Sequence, residues 1–208
     1  GEMFAKPYVR TDCAEFKPVE MRRWAPREAG SPVTCSGEEV TSRLNITSIN
    51  DGTGGTNLKK TERMKELKSF VKYLEDCNIF KFKVNIFNNR LKLQKYVFLA
   101  RKYGFNLRYS YNLYIHGPYS PQLADDYYAL GESAIEPEKI TLDEGFTKLI
   151  KKKSEWWLEL ASTVVMTSER YRDMGDEVMV KLVRNSKPFA SESEVEDVIS
   201  KLRKANVI

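Results

Sequence analysis

The sequence is poor in histidine and cysteine, two side chains that metal centres and acid–base catalysis often use. It has one histidine, His116, and three cysteines, Cys13, Cys35 and Cys77, in 208 residues. The cysteines lack the close C-x-x-C spacing of zinc sites, and we therefore expect no metal site. Cys77 lies near the end of an amphipathic segment and is expected to be a small buried hydrophobe. Cys13 and Cys35 can form a disulfide only if the fold brings them together.

Long apolar runs are also absent. No stretch approaches the about 18 consecutive apolar residues that cross a bilayer, and the opening residues GEMFAKPYVR lack the apolar segment of a signal peptide. The net charge of +5 comes from 34 basic and 29 acidic residues, and so small an excess does not by itself indicate nucleic acid. Hydrophobic residues make up 41% of the chain, which is enough for a sizeable core. We expect a cytoplasmic globular protein without a membrane partner.

Proline and glycine divide the chain into two parts. Four prolines within the first 32 residues and the DGTGG run at 51–55 interrupt any regular period. We predict an irregular extension, or a small docked subdomain, over residues 1–60 and a mainly helical domain over residues 61–208. The fold class is α+β, mainly α-helical: a compact helical domain with a small antiparallel sheet or hairpin.

The helices of this domain follow from apolar residues at three- and four-residue spacing. We predict a first helix over 61–78, an extended stretch over 79–87, and a second helix over 90–103 that Asn88 or Asn89 caps. The closing helix has an S-x-x-E capping box at its start, and a short strand is expected after it. The later predicted helices cover 142–150, 154–170, 176–185 and 192–205, and the final strand covers 206–208.

A strand and a turn are predicted after the second helix. Residues 105–115 alternate between apolar and polar side chains, which is the period of a strand with one buried face. Gly117 and Pro118 mark a sharp turn. Ser120 is suited to cap a helix whose first position is Pro121, because proline has no amide hydrogen to satisfy there.

The motifs do not indicate an enzyme. His116 could act as an acid or a base, but no nucleophile motif such as G-x-S-x-G accompanies it. A lone histidine before Gly-Pro more often binds backbone at the turn. Asp125 and Asp126 are adjacent in a helical segment and point in different directions, so they do not form a metal pair. We predict a non-enzymatic protein.

Two segments carry a family resemblance, LKLQKYVFLA at 91–100 and YIHGPYSPQL at 114–123. Together they resemble the Panacea domain, the family of SocA-like antitoxins and YwgA-like proteins. In that family a K-L-Q-K helix is followed by a strand, a Gly-Pro turn and another helix. WLELAST at 157–163, KPF at 187–189 and the closing helix look like the C-terminal half of the family. The resemblance covers about residues 64–208. It implies a compact helical domain without a cofactor that binds a toxin encoded beside it and suppresses the toxin's activity.

Candidate partner contacts lie around the predicted turn. Tyrosine offers a large rigid area with a polar tip and is enriched at interfaces. We predict Tyr114, His116, Tyr119 and Gln94 as the partner-binding residues. Gln94 has an alternative role, since its amide could instead satisfy buried backbone groups around the turn.

A nucleic-acid-binding regulator is the alternative function. Residues 191–208 resemble a winged-helix segment, and basic side chains there and just after residue 150 are available for phosphates. Acidic side chains at the start of the same segment would repel DNA. The candidate phosphate contacts are Lys151, Lys152, Lys153, Lys201, Arg203 and Lys204.

Overall fold

Seven α-helices and one β-hairpin make up the part of the chain that the computed structural model describes, residues 54–131 and 133–208. This confirms the predicted mainly helical fold with a small antiparallel hairpin. The predicted extension lies outside the described residues, as do Cys13 and Cys35, except that residues 54–60 belong to the first helix.

The first helix, α1, covers Gly54–Asp76 and buries an apolar stripe. Asn78 follows with a left-handed φ of 52°, and the helix ends close to the predicted residue. Cys77 is exposed, so its predicted burial is wrong: it lies beyond the last turn of the helix and faces solvent. The buried stripe consists of Met64, Leu67, Phe70 and Leu74.

The segment between α1 and the second helix is irregular, and the extended stretch predicted there is wrong. Aromatic rings hold it against the core. The ring centroid of Phe80 lies 5.3 Å from that of Tyr96, and the ring centroid of Phe82 lies 5.8 Å from that of Tyr127. Ring packing therefore helps to hold the segment in position, and the described residues provide no strand partner for it.

The second helix, α2, covers Phe87–Ala100 and continues as a short 3-10 turn to Tyr103. The predicted cap at Asn88 or Asn89 is wrong, because the helix begins after Ile86 and no side chain caps it. The amide of Asn89 instead donates a hydrogen bond to a backbone carbonyl of the preceding irregular segment at 3.2 Å. Every residue from position 93 to the end of α2 is buried, so this helix runs through the interior.

The strand predicted over 105–115 is wrong for most of its length, because only Asn112–Tyr114 forms a strand, β1. Leu107 and Tyr109 are buried between exposed polar neighbours, so the alternation reflects a chain that lies across the core. Arg108 has a left-handed φ of 60°, and the described chain places no strand beside this segment. A hydrogen-bonded ladder therefore cannot form there.

The second strand, β2, covers Gly117–Tyr119 and pairs with β1 in antiparallel register, with Tyr114 opposite Gly117. Ile115 and His116 form the turn between the strands. The predicted turn at Gly117 and Pro118 is therefore wrong by two residues, since both belong to β2.

The third helix, α3, begins as predicted at Pro121, and the Ser120 hydroxyl caps it by accepting a hydrogen bond from the Leu123 amide at 3.3 Å. The later helices are also confirmed, and Ser191 and Glu194 form the predicted capping box. The predicted strand at 206–208 is wrong: Asn206 turns the chain with a φ of 52°. The remaining helices are α3 (Pro121–Ala129), α4 (Glu144–Ile150), α5 (Glu155–Arg170), α6 (Asp176–Ser186) and α7 (Glu192–Lys204).

Helix α5 is the centre of the fold. It contacts α2, α6, α7 and β2, and its residues from 158 to 165 are all buried. Three of these buried residues are polar, Glu159, Ser162 and Thr163. Burial of a polar group destabilises the folded chain unless the group has a hydrogen-bond partner. The partners of these three residues therefore show where polar contacts take the place of apolar packing in the core.

Candidate functional site

The end of the hairpin is bound to α2 through Gln94. The Gln94 amide nitrogen donates to the Ser120 carbonyl at 2.9 Å, and the Ser120 amide donates to the Gln94 side-chain oxygen at 3.0 Å. Gln94 thus pairs with the backbone as a neighbouring strand would. Its exposed fraction is 2%, so it has the predicted alternative role, support of the turn region, and we leave it out of the contact surface.

Lys95, the next residue on α2, is also buried beneath the hairpin. Its ammonium donates to the Pro118 carbonyl at 2.5 Å. Burial lowers the pKa of Lys95 to about 7, and the charge of Glu159 opposes this while that of Lys187 adds to it. Lys95 is therefore a buried base that is close to losing its charge near neutral pH.

Lys187 binds the other side of the turn. It lies directly after α6, and its ammonium donates both to the Ile115 carbonyl and to a Glu159 carboxylate oxygen, the latter at 2.6 Å. The second Glu159 oxygen is 3.2 Å from Nδ1 of His116. Burial lowers the pKa of Lys187, and its hydrogen bond to Glu159 opposes that effect.

These four residues, Lys95, His116, Glu159 and Lys187, form what we call the charged cluster. The cluster holds two buried lysines and one buried carboxylate, which pairs directly with Lys187 and acts on Lys95 through its charge, so the cluster carries an excess of positive charge when both lysines are protonated. Each lysine also binds one backbone carbonyl of the hairpin: Lys187 binds that of residue 115 in the turn, and Lys95 binds that of residue 118 in β2. The cluster therefore fixes the position of the hairpin from below.

Gly117 allows the hairpin to approach α5 closely. A Cβ at this position would lie 2.9 Å from the Thr163 hydroxyl oxygen and 3.3 Å from the Glu159 carbonyl oxygen. The φ of Gly117 is also left-handed, at 81°, a conformation that other residues adopt only with strain. Only glycine allows both the close contact and the left-handed φ at the point where β2 crosses α5.

Above the charged cluster lies a set of outward-facing aromatic and apolar side chains, which we call the hairpin surface. Ile115 is 63% exposed, Phe87 54%, Tyr114 49% and Tyr128 44%. Ring contacts connect its members: Phe87 meets His116 at 5.7 Å, and Tyr114 meets Tyr119 at 5.3 Å. The hairpin surface consists of Phe87, Arg90, Tyr114, Ile115, His116, Tyr119 and Tyr128.

Three of the four predicted partner contacts lie on this surface. Tyr114 is exposed, the His116 side chain is 51% exposed, and Tyr119 is partly buried at the edge of the same ring cluster. Sequence reasoning missed Phe87 and Ile115. The signal for Ile115 was available, since it sits at the tip of a hairpin, but the misplaced turn concealed it.

The predicted phosphate contacts do not form one basic patch with free charges. Lys201 pairs with Asp197 at 2.6 Å, and Arg203 pairs with Asp176. Lys153 lies over the Trp157 ring at 4.5 Å. Of the other three predicted phosphate contacts, Lys151 and Lys152 are exposed. Lys204 borders a surface groove that Asp176 and Glu196 also line.

A second buried ion pair also escaped sequence reasoning. Asp126 on α3 accepts hydrogen bonds from Arg63 at 2.8 Å and from the Tyr109 hydroxyl at 2.9 Å. Burial and the charge of Asp126 together raise the pKa of Tyr109 well above its usual range. These contacts tie α1 to α3 and to the segment before β1, and we assign them a structural role.

Metal-ligand groups and membrane-spanning helices add no candidate site in the described residues, and neither do comparisons with known proteins. Within residues 54–131 and 133–208 no group of three or more potential ligands could hold a metal ion, and no helix is long and apolar enough to cross a membrane. Comparison of the chain with models of protein families, with curated proteins and with solved structures finds no match.

Proposed function

We propose that this chain is a non-enzymatic, antitoxin-like module that acts in the cytoplasm and neutralises a toxin protein by direct binding through the hairpin surface. The observation that carries the proposal is an exposed aromatic surface on a buried, hydrogen-bonded support. Exposed aromatic side chains grouped in one place are typical of interfaces, and tyrosine and arginine are enriched among the residues that contribute most to binding.

The support matters because ordering a flexible loop reduces affinity. A partner that binds a preformed surface does not have to order it, and more of the contact energy is then available for affinity. Lys187 binds the carbonyl of Ile115 within the turn, and Lys95 and Gln94 bind the backbone carbonyls of Pro118 and Ser120 after it. This arrangement favours a surface whose shape is set before the partner arrives.

The resemblance to the Panacea domain adds support of a different kind. Four of the five segments on which it rests, all but the closing helix, each contribute a residue to the charged cluster or to the hairpin itself: 91–100, 114–123, 157–163 and 187–189. Residues that are far apart in the sequence thus meet at one place. Such convergence is what we expect if these segments serve one binding site.

The alternative, binding of nucleic acid, has weaker support. Affinity for nucleic acid depends on basic side chains that are free to contact phosphates. Lys201 and Arg203 face carboxylates in this chain, and the acidic start of α7 lies about two to three turns away on the same helix. We therefore place the partner on the hairpin surface.

The test is capture of the partner by the tagged full-length chain from its native cells at moderate salt. Ile115→Asn removes an exposed apolar contact, and Val178→Asn, at a residue of α6 that is 51% exposed, is the matched control. We expect a stoichiometric protein that the wild type and Val178→Asn capture and Ile115→Asn does not. Expression of that protein alone should arrest growth, and co-expression of the wild type should restore it.

Two results would overturn the proposal. Equal capture by all three chains would place the partner elsewhere, provided that their melting temperatures agree. Recovery of nucleic acid that is lost as salt rises would favour the regulator instead.

A further inference from the structure

Arg90 lies within the hairpin surface beside two exposed aromatic rings. Its guanidinium carbon is 5.7 Å from the centroid of the Phe87 ring and 5.9 Å from that of Tyr128. Both distances are in the range of cation–π attraction. The two rings therefore restrict the movement of the guanidinium and place it in a partly apolar environment at the protein surface.

The guanidinium has unused hydrogen-bonding capacity. An arginine carries five donor hydrogens, and among residues 54–131 and 133–208 Arg90 contributes one hydrogen bond, from Nη1 to the Val84 carbonyl at 2.7 Å. In the region that the structure covers, no carboxylate lies within ion-pair distance of Arg90. Five other arginines do have a carboxylate at that distance: Arg63, Arg101, Arg108, Arg184 and Arg203.

Glu159 and Asp125 lie close to members of the hairpin surface, and neither forms an ion pair with Arg90. Glu159 is buried and bound to Lys187 and His116. Asp125 is exposed on α3, where its charge acts on the Tyr119 hydroxyl. The positive charge of Arg90 thus lies between two exposed aromatic rings without a counter-charge from the described part of its own chain.

We infer that the partner's contact segment carries an aspartate or glutamate flanked by apolar side chains, and that this carboxylate binds the Arg90 guanidinium between Phe87 and Tyr128. The inference rests on the proposed function, since it names the chemistry of the partner at the same surface. A guanidinium binds a carboxylate through two parallel hydrogen bonds, and a partly apolar surround strengthens such bonds relative to those in water.

The expected effect is large enough to measure. Hydrogen bonds to charged groups of this kind change affinity by about 10- to 100-fold when one partner is removed. Arg90→Lys keeps the charge but loses the paired geometry, so it should retain part of the affinity. Arg90→Gln removes the charge, and its affinity should fall by the full factor of about 10 to 100.

The probe is a pair of displayed peptide pools of twelve random residues, with either Asp or Asn fixed at the centre. Both pools are selected on the full-length wild-type chain. Peptides that are recovered are synthesised with Asp and with Asn at the centre, and their Kd is measured against the wild type, Arg90→Gln and Ile115→Asn. Arg172→Gln, at an exposed arginine outside the hairpin surface, is the matched control.

We expect the Asp pool to be enriched in peptides with apolar residues beside the acid. Replacement of Asp by Asn should weaken binding about 10- to 100-fold on the wild type and on Arg172→Gln, and should have little effect on Arg90→Gln. Peptides that depend on Ile115 but bind equally with Asp or Asn would overturn the inference and leave the proposed surface intact. If no peptide from either pool depends on Ile115, both the inference and the proposed function fail.

Discussion

Replacement of Lys95 by methionine tests whether the charged cluster carries a buried excess charge. Burial lowers the pKa of Lys95 from its ordinary value of 10.5 to about 7 in the folded chain, whereas the unfolded chain keeps the ordinary value. Between these two values the unfolded chain binds more protons than the folded chain. The free energy of unfolding must therefore rise with pH across this window and lose that contribution as the pH falls towards 7.

The magnitude follows from the same pKa difference. A change from 10.5 to about 7 corresponds to roughly 5 kcal/mol against folding when the lysine is charged in both states. Between pH 7 and pH 9 the wild type should gain about 2 kcal/mol of stability from Lys95 alone. Methionine has similar volume and no charge, but it leaves the Pro118 carbonyl without its donor, at a cost of about 1–3 kcal/mol.

We therefore expect Lys95→Met to be more stable than the wild type by about 1–3 kcal/mol at pH 7, with most of the difference gone at pH 9. Some dependence on pH should remain in the variant, because burial also lowers the pKa of Lys187 and acts in the same direction. Measurements should stop at pH 9. Burial raises the pKa of tyrosines such as Tyr96, to about 12, and their ionisation in the unfolded chain reverses the trend at higher pH.

The assay is urea unfolding at several pH values, followed by the fluorescence of the two adjacent tryptophans on α5. Lys181→Met, at an exposed lysine of α6, is the matched control and should keep the pH dependence of the wild type. The reasoning is refuted if Lys95→Met and the wild type gain the same stability between pH 7 and pH 9. It is equally refuted if the wild type gains none.

Two further substitutions test the packing and the charge balance beneath the hairpin. Gly117→Ala should destabilise the chain by about 1–3 kcal/mol more than Gly104→Ala in urea unfolding, since both glycines have a left-handed φ but only a Cβ at 117 meets other atoms. Equal losses would show that strain in φ, and not contact with α5, accounts for Gly117. Glu159→Gln should cost about 3–5 kcal/mol because it leaves two buried lysines without a carboxylate, and addition of Lys187→Met should recover part of that loss in thermal unfolding. No recovery in the double variant would contradict this account.

The helices could be predicted from the sequence because their signals are local. Ser120, Ser154 and Ser191 each cap the helix that follows them, and each lies immediately before an amphipathic stretch. A strand, in contrast, requires a partner elsewhere in the chain. Residues 105–111 alternate in the manner of a strand, but no partner lies beside them in the described chain, so the pattern was misleading.

The charged cluster could not be predicted, because its members lie at positions 95, 116, 159 and 187 and meet only in the folded chain. Lys95 in particular resembles a solvated lysine of an amphipathic helix. A signal was nevertheless present in the five residues that follow it, YVFLA, which are apolar on all sides of α2. A helix that is apolar all round is buried, and a lysine at its start is then interior as well.

The cluster explains how so short a hairpin keeps a defined shape. Two strands of three residues each provide few ladder hydrogen bonds, and an isolated two-stranded hairpin is at best marginally stable in water. Lys187 adds a bond to a carbonyl within the turn and Lys95 adds one to a carbonyl of β2, and Gly117 brings the strand onto α5. An apolar core could bury the same area, but it could not bind those carbonyls, which would remain without partners away from water. Charged residues beneath the hairpin are therefore the direct means by which this chain holds Tyr114, Ile115 and His116 outward.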